Sequence, residues 1–463
     1  MTLRGFISTS LPGGLALSAC LLLAACGGGG DSTATTGGSD GTTLSAAAQL
    51  GQKIFNDTAL SVSGTQSCAS CHVAASAFAE DASASGVDRG LPVALGGAVM
   101  DQSGFRNTPS LMYASLTPAF SIDADGDPNG GFFRDGRAGT LADQAVLPMT
   151  TSFEMGNADA SAVIAKLKTR PYLADFQALY GSAVLSDPAG ALARMGQAVA
   201  AFEAEEPAFH PFSSKYDWFQ KGQATLTAQE LRGLALFNGP SKGNCAACHP
   251  GSSSDGATPP MFTDYSYDNL GVPRNSLIPA NATPSPHGTP GNSDDGVQRY
   301  YDLGVCGPFR EQTVVFFGHC GQFKVPTLRN VAVTAPYFHN GRFTTLKDAI
   351  GFYVRRDTNP EEWYPANPDG TVTKFDDLPA IYGGQFIVRP RAAGSDAGYL
   401  GNVNTGEIPY NRSIGDTPAL LPDEIDDLIT FLCTLTDGYD PARPAAQVLP
   451  AQCQAAVHAT AAP

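Results

Sequence analysis

The chain has 463 residues, enough for two or three domains with cores of their own. Its 44 Asp and Glu against 28 Lys and Arg give a formal net charge of −16, which argues against a nucleic-acid partner and against a basic membrane-binding face. Such a charge suits an electropositive patch on a partner protein.

Residues 1–26 read as a targeting segment. Arg4 supplies the positive start, and LALSACLLLAAC follows as an apolar run too short to span a bilayer comfortably. Its end, Leu23-Ala24-Ala25-Cys26, resembles a bacterial lipobox, which would make Cys26 the lipidated first residue of an exported protein. Gly27 after it favours anchoring at the outer membrane, facing the periplasm. Residues 27–43, GGGGDSTATTGGSDGTT, then form a flexible linker.

Two motifs carry the chemistry: CASCH (Cys68, Cys71, His72) and CAACH (Cys245, Cys248, His249). Two thiols three apart can add to the two vinyl groups of a haem, and the adjoining histidine then ligates the iron. Zinc needs four clustered ligands, and a redox CxxC needs no following histidine. Two covalent c-type haems is the reading that accounts for both copies.

The motifs sit in a repeat. LGQKIFND precedes the first and RGLALFNG the second, the latter in a helix opened by a Thr227–Glu230 capping box. PSL (109–111) matches PTL (326–328), and FFRDGRAGTLADQAVLP (132–148) aligns without gaps to YFHNGRFTTLKDAIGFY (337–353). The fold expected is mainly α, two tandem cytochrome c-like haem domains with long loops. The N-terminal haem domain spans 44–210 and the C-terminal one 211–440, with a long insertion at 354–420 and a peripheral tail at 441–463. DADGDPNGG (123–131) only mimics a calcium loop, because Pro128 stands where glycine is needed, and reads as an acidic loop. Cys306, Cys320, Cys433 and Cys453 remain for disulfides in an oxidising compartment. Pairings 306–320 and 433–453 are the local choice among three connectivities.

The repeat is informative where it differs. Thr345 caps a helix whose Leu346, Ile350 and Tyr353 share one apolar face. Tyr353 aligns with Pro148, which has nothing to offer a metal. If that position faces the iron, the first haem is open and the second carries a phenolate. Gln144 and Glu154 flank Pro148, where a carboxylate could shuttle a peroxide proton and an amide could orient the peroxide.

Together with RNTPSL, NLGVPRN and KVPTLRNVAVTAPYFHNGRF, these segments resemble the bacterial dihaem cytochrome c peroxidase family, and its MauG branch in particular. The resemblance implies that the haem on His72 reduces H2O2, with Glu154, Gln144 and Pro148 around its open side. It implies that Tyr353 ligates the haem on His249, where ordinary peroxidases of the family have methionine. A hard oxygen donor lowers that haem's potential and favours sharing of oxidising equivalents, one per haem, in a bis-Fe(IV)-type state. It also implies a Ca2+ between the haems, held by Asn107 and the carbonyls of Thr334 and Pro336. Two departures stand out. No histidine lies between His72 and His210, so the site should be open without reductive activation, and the family's inter-haem tryptophan falls on Arg134. The functions to weigh are an exported peroxidase fed by a small c-type cytochrome or cupredoxin, a MauG-like enzyme that oxidises residues of a partner protein, and a non-enzymatic electron relay.

Overall fold

Glycine decides how the helices of this protein meet. In helix α1 (Ala46–Phe55), a Cβ on Gly51 would stand 1.9 Å from the Ala198 carbonyl oxygen of the long helix α6 (Pro188–Glu205), so only glycine permits the crossing. In helix α8 (Ala228–Asn238), Gly233 meets the Asp427 carbonyl of α10 (Pro422–Cys433) in the same way, at 2.1 Å. Gly51 and Gly233 are the aligned glycines of LGQKIFND and RGLALFNG, so the sequence repeat is a repeat of one helix crossing.

The computed structural model describes residues 43–80, 90–253, 255–282, 299–310, 318–380, 384, 386–388 and 401–457. The lipobox cysteine and almost all of the linker lie outside the described residues. Leu44–Pro463 form one unit. Its first core gathers Leu50, Ile54, Met149, Phe176 and Val199 from α1, α3 (Leu141–Thr150), α5 (Leu173–Tyr180) and α6, with Phe209 from the turn after α6. Its second gathers Phe237, Phe262, Phe352, Phe375 and Phe431 from α8, α9 (Leu346–Arg355), α10 and the loops between them. The remaining helices are short: α2 (Cys68–Cys71), α4 (Ala160–Leu167), α7 (Lys215–Gln220) and α11 (Ala451–Ala456). Strands among the described residues form only two-stranded antiparallel pairs, so the architecture is mainly α with long loops.

The repeat extends to backbone angles. Phe78 and Phe262 both stand at φ 52°, Phe133 and Phe338 at 62° and 65°, and Tyr113 and Asn330 at 62° and 61°. Thr140 accepts from the Asp143 amide at the start of α3 as Thr345 does from Asp348 at α9, both at 3.1 Å. The two halves also join by a reciprocal exchange. The Asn107 amide donates to the His339 carbonyl at 2.9 Å, and Lys324, the residue aligned with Asn107, donates to the carbonyl of Arg134 at 2.8 Å. Arg134 and His339 are themselves aligned, so the joint is pseudo-two-fold.

One expectation is corrected by the structure. The tail is not peripheral: Cys453 is 1 % exposed and disulfide-bonded to Cys433, and Gln452 accepts from the Leu346 amide at the start of α9. Its carboxamide also donates to Tyr337 Oη at 2.7 Å, so α11 closes the second core. The insertion, in turn, packs over the second cavity described below. The second disulfide is Cys306–Cys320, so both local pairings form. DADGDPNGG is a hairpin turn, with Asp123 Oδ1 accepting from the Asp125 and Asp127 amides.

Candidate active site

Each CxxCH motif opens onto its own cavity. In the first, Cys68, Cys71 and His72 share the lining with Gln144, Pro148 and Glu154. In the second, Cys245, Cys248 and His249 share it with Tyr353 and Tyr410. Residues as far apart in sequence as Cys68 and Glu154, or Cys245 and Tyr410, thus line one cavity.

The histidines are held alike. His72 Nδ1 meets the Phe78 carbonyl at 3.0 Å, and His249 Nδ1 meets the Phe262 carbonyl at 2.8 Å. Both phenylalanines are in the left-handed region, a strained conformation that turns the carbonyl onto the ring. Donation from Nδ1 leaves Nε2 as the unprotonated nitrogen, the form that binds iron. Withdrawal from water keeps both rings neutral, pushing His72 down to about 4 and lowering His249. Burial also pushes all four thiols up to about 12, the opposite of the depressed value a redox CxxC needs. Paired thiols and a neutral buried imidazole on one cavity wall fit a haem in each half.

The open side of the first cavity is built by α3 and the turn after it. Pro148 lies within α3 and lacks an N–H, so the Gln144 carbonyl loses its intrahelical partner. Beyond the helix, the Glu154 amide donates to Thr151 O at 3.0 Å, and the Glu154 carbonyl accepts from Gly97 at 2.8 Å. A Cβ on Gly96 would lie 2.5 Å from that Glu154 carbonyl, so glycine is what lets this strand hold the turn. Burial raises the Glu154 carboxyl above the ordinary range, and the nearby Arg137 guanidinium pulls the other way. Arg137 is itself fixed, 3.1 Å from Asp135 and 3.5 Å over the Phe133 ring. Phe105, Phe153 and Phe309 pack edge-on at 5.0–5.9 Å and wall the cavity near Glu154.

In the second cavity Tyr353 projects from α9 at the position Pro148 takes in α3. Its ring packs 5.5 Å from Phe338 and 5.9 Å from Tyr410, which the insertion supplies. Burial raises its phenol well above the ordinary value, and the Cys248 and Asp268 side chains add to this.

The predicted calcium donors are differently engaged. Asn107 Nδ2 donates to the Pro336 carbonyl at 2.5 Å, and the Arg134 guanidinium donates to Asn107 Oδ1. Among the described residues, no hydrogen bond to the Thr334 carbonyl accompanies these. Asn107 and Pro336 are brought together, but bonded to each other and to a cation, so this arrangement does not fit an ion between them. Arg134 lines both cavities, where neither Trp218 nor Trp363 reaches. His339 stacks on Phe323 at 3.7 Å beside the second cavity.

Sequence reasoning missed Arg137, Glu203 and Tyr410. Arg137 was visible as a repeat identity with Arg342. Glu203 is 2 % exposed, lines the first cavity, and is pushed up to about 8 by burial. Matching the two helix crossings makes Leu432 its equivalent in the second half, a correspondence that the sequence alone does not align. Tyr410 lies in an insertion with no repeat partner.

The comparisons agree with this geometry. The di-haem cytochrome c peroxidase family matches residues 45–225. The methylamine utilization protein MauG of Paracoccus denitrificans is 36% identical over 399 residues, 86% of this chain and 90% of that protein. The cytochrome c peroxidase Ccp of Escherichia coli is 29% identical over 67% of this chain and 54% of its own. Among solved structures, the diheme peroxidase BthA of Burkholderia thailandensis superposes with a TM-score of 0.71 at 36% identity, covering 85% of this chain and 86% of that one. With two haem cavities of one design and relatives matched along most of its length, the chain belongs to the di-haem cytochrome c peroxidase family and is a peroxidase-like oxidoreductase.

Proposed function

We propose that the protein is an exported, lipid-anchored peroxidase of the periplasm that reduces H2O2 at the first cavity. The observation that carries this is the pairing of Pro148 with Tyr353: two identically capped helices present a residue without a donor atom to one cavity and a phenol to the other. Covalently bound through the two CxxCH motifs, the haems supply the redox chemistry, two electrons and two protons converting H2O2 to two waters. The Glu154 carboxylate takes the proton from the near peroxide oxygen and returns it to the departing far one. Gln144 orients the peroxide, and Pro148 leaves the space that it needs. The phenylalanine wall keeps bulk water from Glu154.

Tyr353 is the side chain that would hold the second haem, and a phenolate oxygen there would lower its potential and favour sharing of the two oxidising equivalents between the halves. Electrons come from a small c-type cytochrome or cupredoxin, for which the acidic surface provides a docking charge. A second reading, oxidation of residues in a partner protein, is favoured by Tyr353 and by the likeness to MauG. Arg134, which cannot be oxidised, replaces the side chain that would draw electrons from a distant substrate. A non-enzymatic relay is disfavoured by Pro148, which cannot close the first site.

The test is the spectrum of the fully oxidised holoprotein. One high-spin and one low-spin haem are expected, and H2O2 added without prior reduction should give a long-lived oxidised state. Two low-spin haems would refute the open site. Reduced cytochrome consumed with H2O2 points to the peroxidase, and a covalent change in a co-purifying protein to the second reading.

A further inference from the structure

We propose that the Arg134 guanidinium is the resident cation between the two haem sites, occupying the position at Asn107 that calcium would need, so that this protein is calcium-independent. The inference does not rest on the peroxide chemistry.

Every polar group of Asn107 is committed. Its amide donates to the His339 carbonyl at 2.9 Å, and its carbonyl accepts from Arg134 Nε at 3.4 Å. Oδ1 accepts from Arg134 Nη2, and Nδ2 donates to the Pro336 carbonyl. Calcium binds six to eight oxygens at about 2.3–2.6 Å. Here the Asn107 and Pro336 oxygens already accept from N–H groups, one of them cationic. Among the described residues, no group of three or more His, Cys, Asp or Glu could supply the missing charge.

The pseudo-two-fold joint strengthens the point. The position aligned with Asn107 is Lys324, and its ammonium donates to the Gly131 carbonyl. Gly131 is the residue aligned with Pro336. Each half of the joint therefore carries a protein cation: Lys324 on the Gly131 carbonyl across the joint, and Arg134 on Asn107, which itself reaches the Pro336 carbonyl across it. Arg134 reaches Asn107 from its own half, while its carbonyl accepts from Lys324 of the other at 2.8 Å. Burial and the Arg106 guanidinium push Arg134 down to about 10, with Glu80 and Asp302 pulling the other way, so the guanidinium still carries its charge near neutral pH. A guanidinium tethered by the chain supplies positive charge at the joint that dissociation and chelators cannot remove.

The experiment uses the two-haem holoprotein. After dialysis against a calcium chelator, calcium is titrated in by calorimetry, metal content is measured, and thermal melts are compared with and without millimolar calcium. Wild type should contain no stoichiometric calcium, show no binding heat and melt at the same temperature in both buffers. One tightly held calcium per chain would overturn the proposal. Arg134→Met removes the charge at similar length. It should take up calcium and melt higher in its presence, and indifference to calcium in a folded R134M would also overturn the proposal. Should R134M be recovered only with calcium, the proposal stands. Arg134→Lys, which keeps a cation, should remain folded and calcium-indifferent.

Discussion

Replacing Glu154 by Gln removes a proton acceptor while keeping the size and one hydrogen-bonding oxygen of the side chain. Among the described residues that line the first cavity, the only other carboxyl is Glu203, which stands against Cys68. Gln144 is an amide and Arg137 a cation, so no neighbour can substitute as base. The loss should therefore be the full contribution of general acid–base catalysis, about 10²–10⁴-fold in the rate of reaction with H2O2. That corresponds to about 3–5 kcal/mol of barrier. The pH dependence has a definite sign. The base must be ionised to accept a proton, and burial raises its pKa. Wild-type rate should then fall with falling pH at a higher pH than an ordinary carboxylate would give. Arg137→Met, which removes the cation favouring the ionised form, should move that limb higher still. Stopped-flow mixing of oxidised holoprotein with H2O2, followed in the Soret band over a pH series, measures both effects. E154Q reacting as fast as wild type, with an unchanged pH profile and two attached haems, would refute the assignment.

Tyr353→Met should leave two haems bound but raise the potential of the second. The lifetime of the peroxide-oxidised state should shorten by about tenfold or more, equivalent to about 1.4 kcal/mol, read by spectroelectrochemistry and by decay of the oxidised spectrum. Asp217→Asn breaks a bidentate pair with Arg329 in which both side chains are 1% exposed, leaving a buried guanidinium uncompensated. A loss of about 3–5 kcal/mol in denaturant titrations is expected. Arg329 depresses the Asp217 pKa in the fold, so this stability is present above the unfolded carboxylate pKa and is lost as pH falls through the folded one. D217N should lack that acid-side slope. Gly233→Ala sets helix propensity, worth up to about 1 kcal/mol, against a Cβ placed 2.1 Å from the Asp427 backbone oxygen. Backbone cannot yield as a side chain does, so a net loss of about 1–3 kcal/mol should appear as a lower Tm.

What could be read from the sequence was what recurs in it. CASCH and CAACH, the Thr345 cap and the aligned helices of Pro148 and Tyr353 all rest on local rules, and the structure places them as those rules imply. The two disulfides followed from proximity along the chain. In the sequence, Arg134 shows only as the residue that stands where the family has a tryptophan. Its contact with Asn107 joins residues 27 apart in the chain, a pairing that no local pattern encodes. Tyr410 and α11 come from stretches without a repeat partner. Their roles depend on which surface they cover, and Ala/Pro-rich composition concealed that Cys453 and Gln452 fasten the tail to α10 and α9.

The duplicated design explains how one half can differ in chemistry without disturbing the other. Helix crossings fixed by Gly51 and Gly233, carbonyls fixed by Phe78 and Phe262, and caps fixed by Thr140 and Thr345 set the position of each haem wall. None of these uses the side chain at Pro148 or Tyr353, which is therefore free to differ between the two cavities. The same holds at Glu203 and Leu432, where one crossing presents a carboxyl and the other an alkyl group. The joint divides labour similarly: backbone amides of Asn107 and Lys324 hold the halves together, and the side chains of Arg134 and Lys324 carry its charge. Geometry common to both halves thus resides in glycines, caps and main-chain bonds, while the difference between the two haem sites rests on side chains that the scaffold does not need.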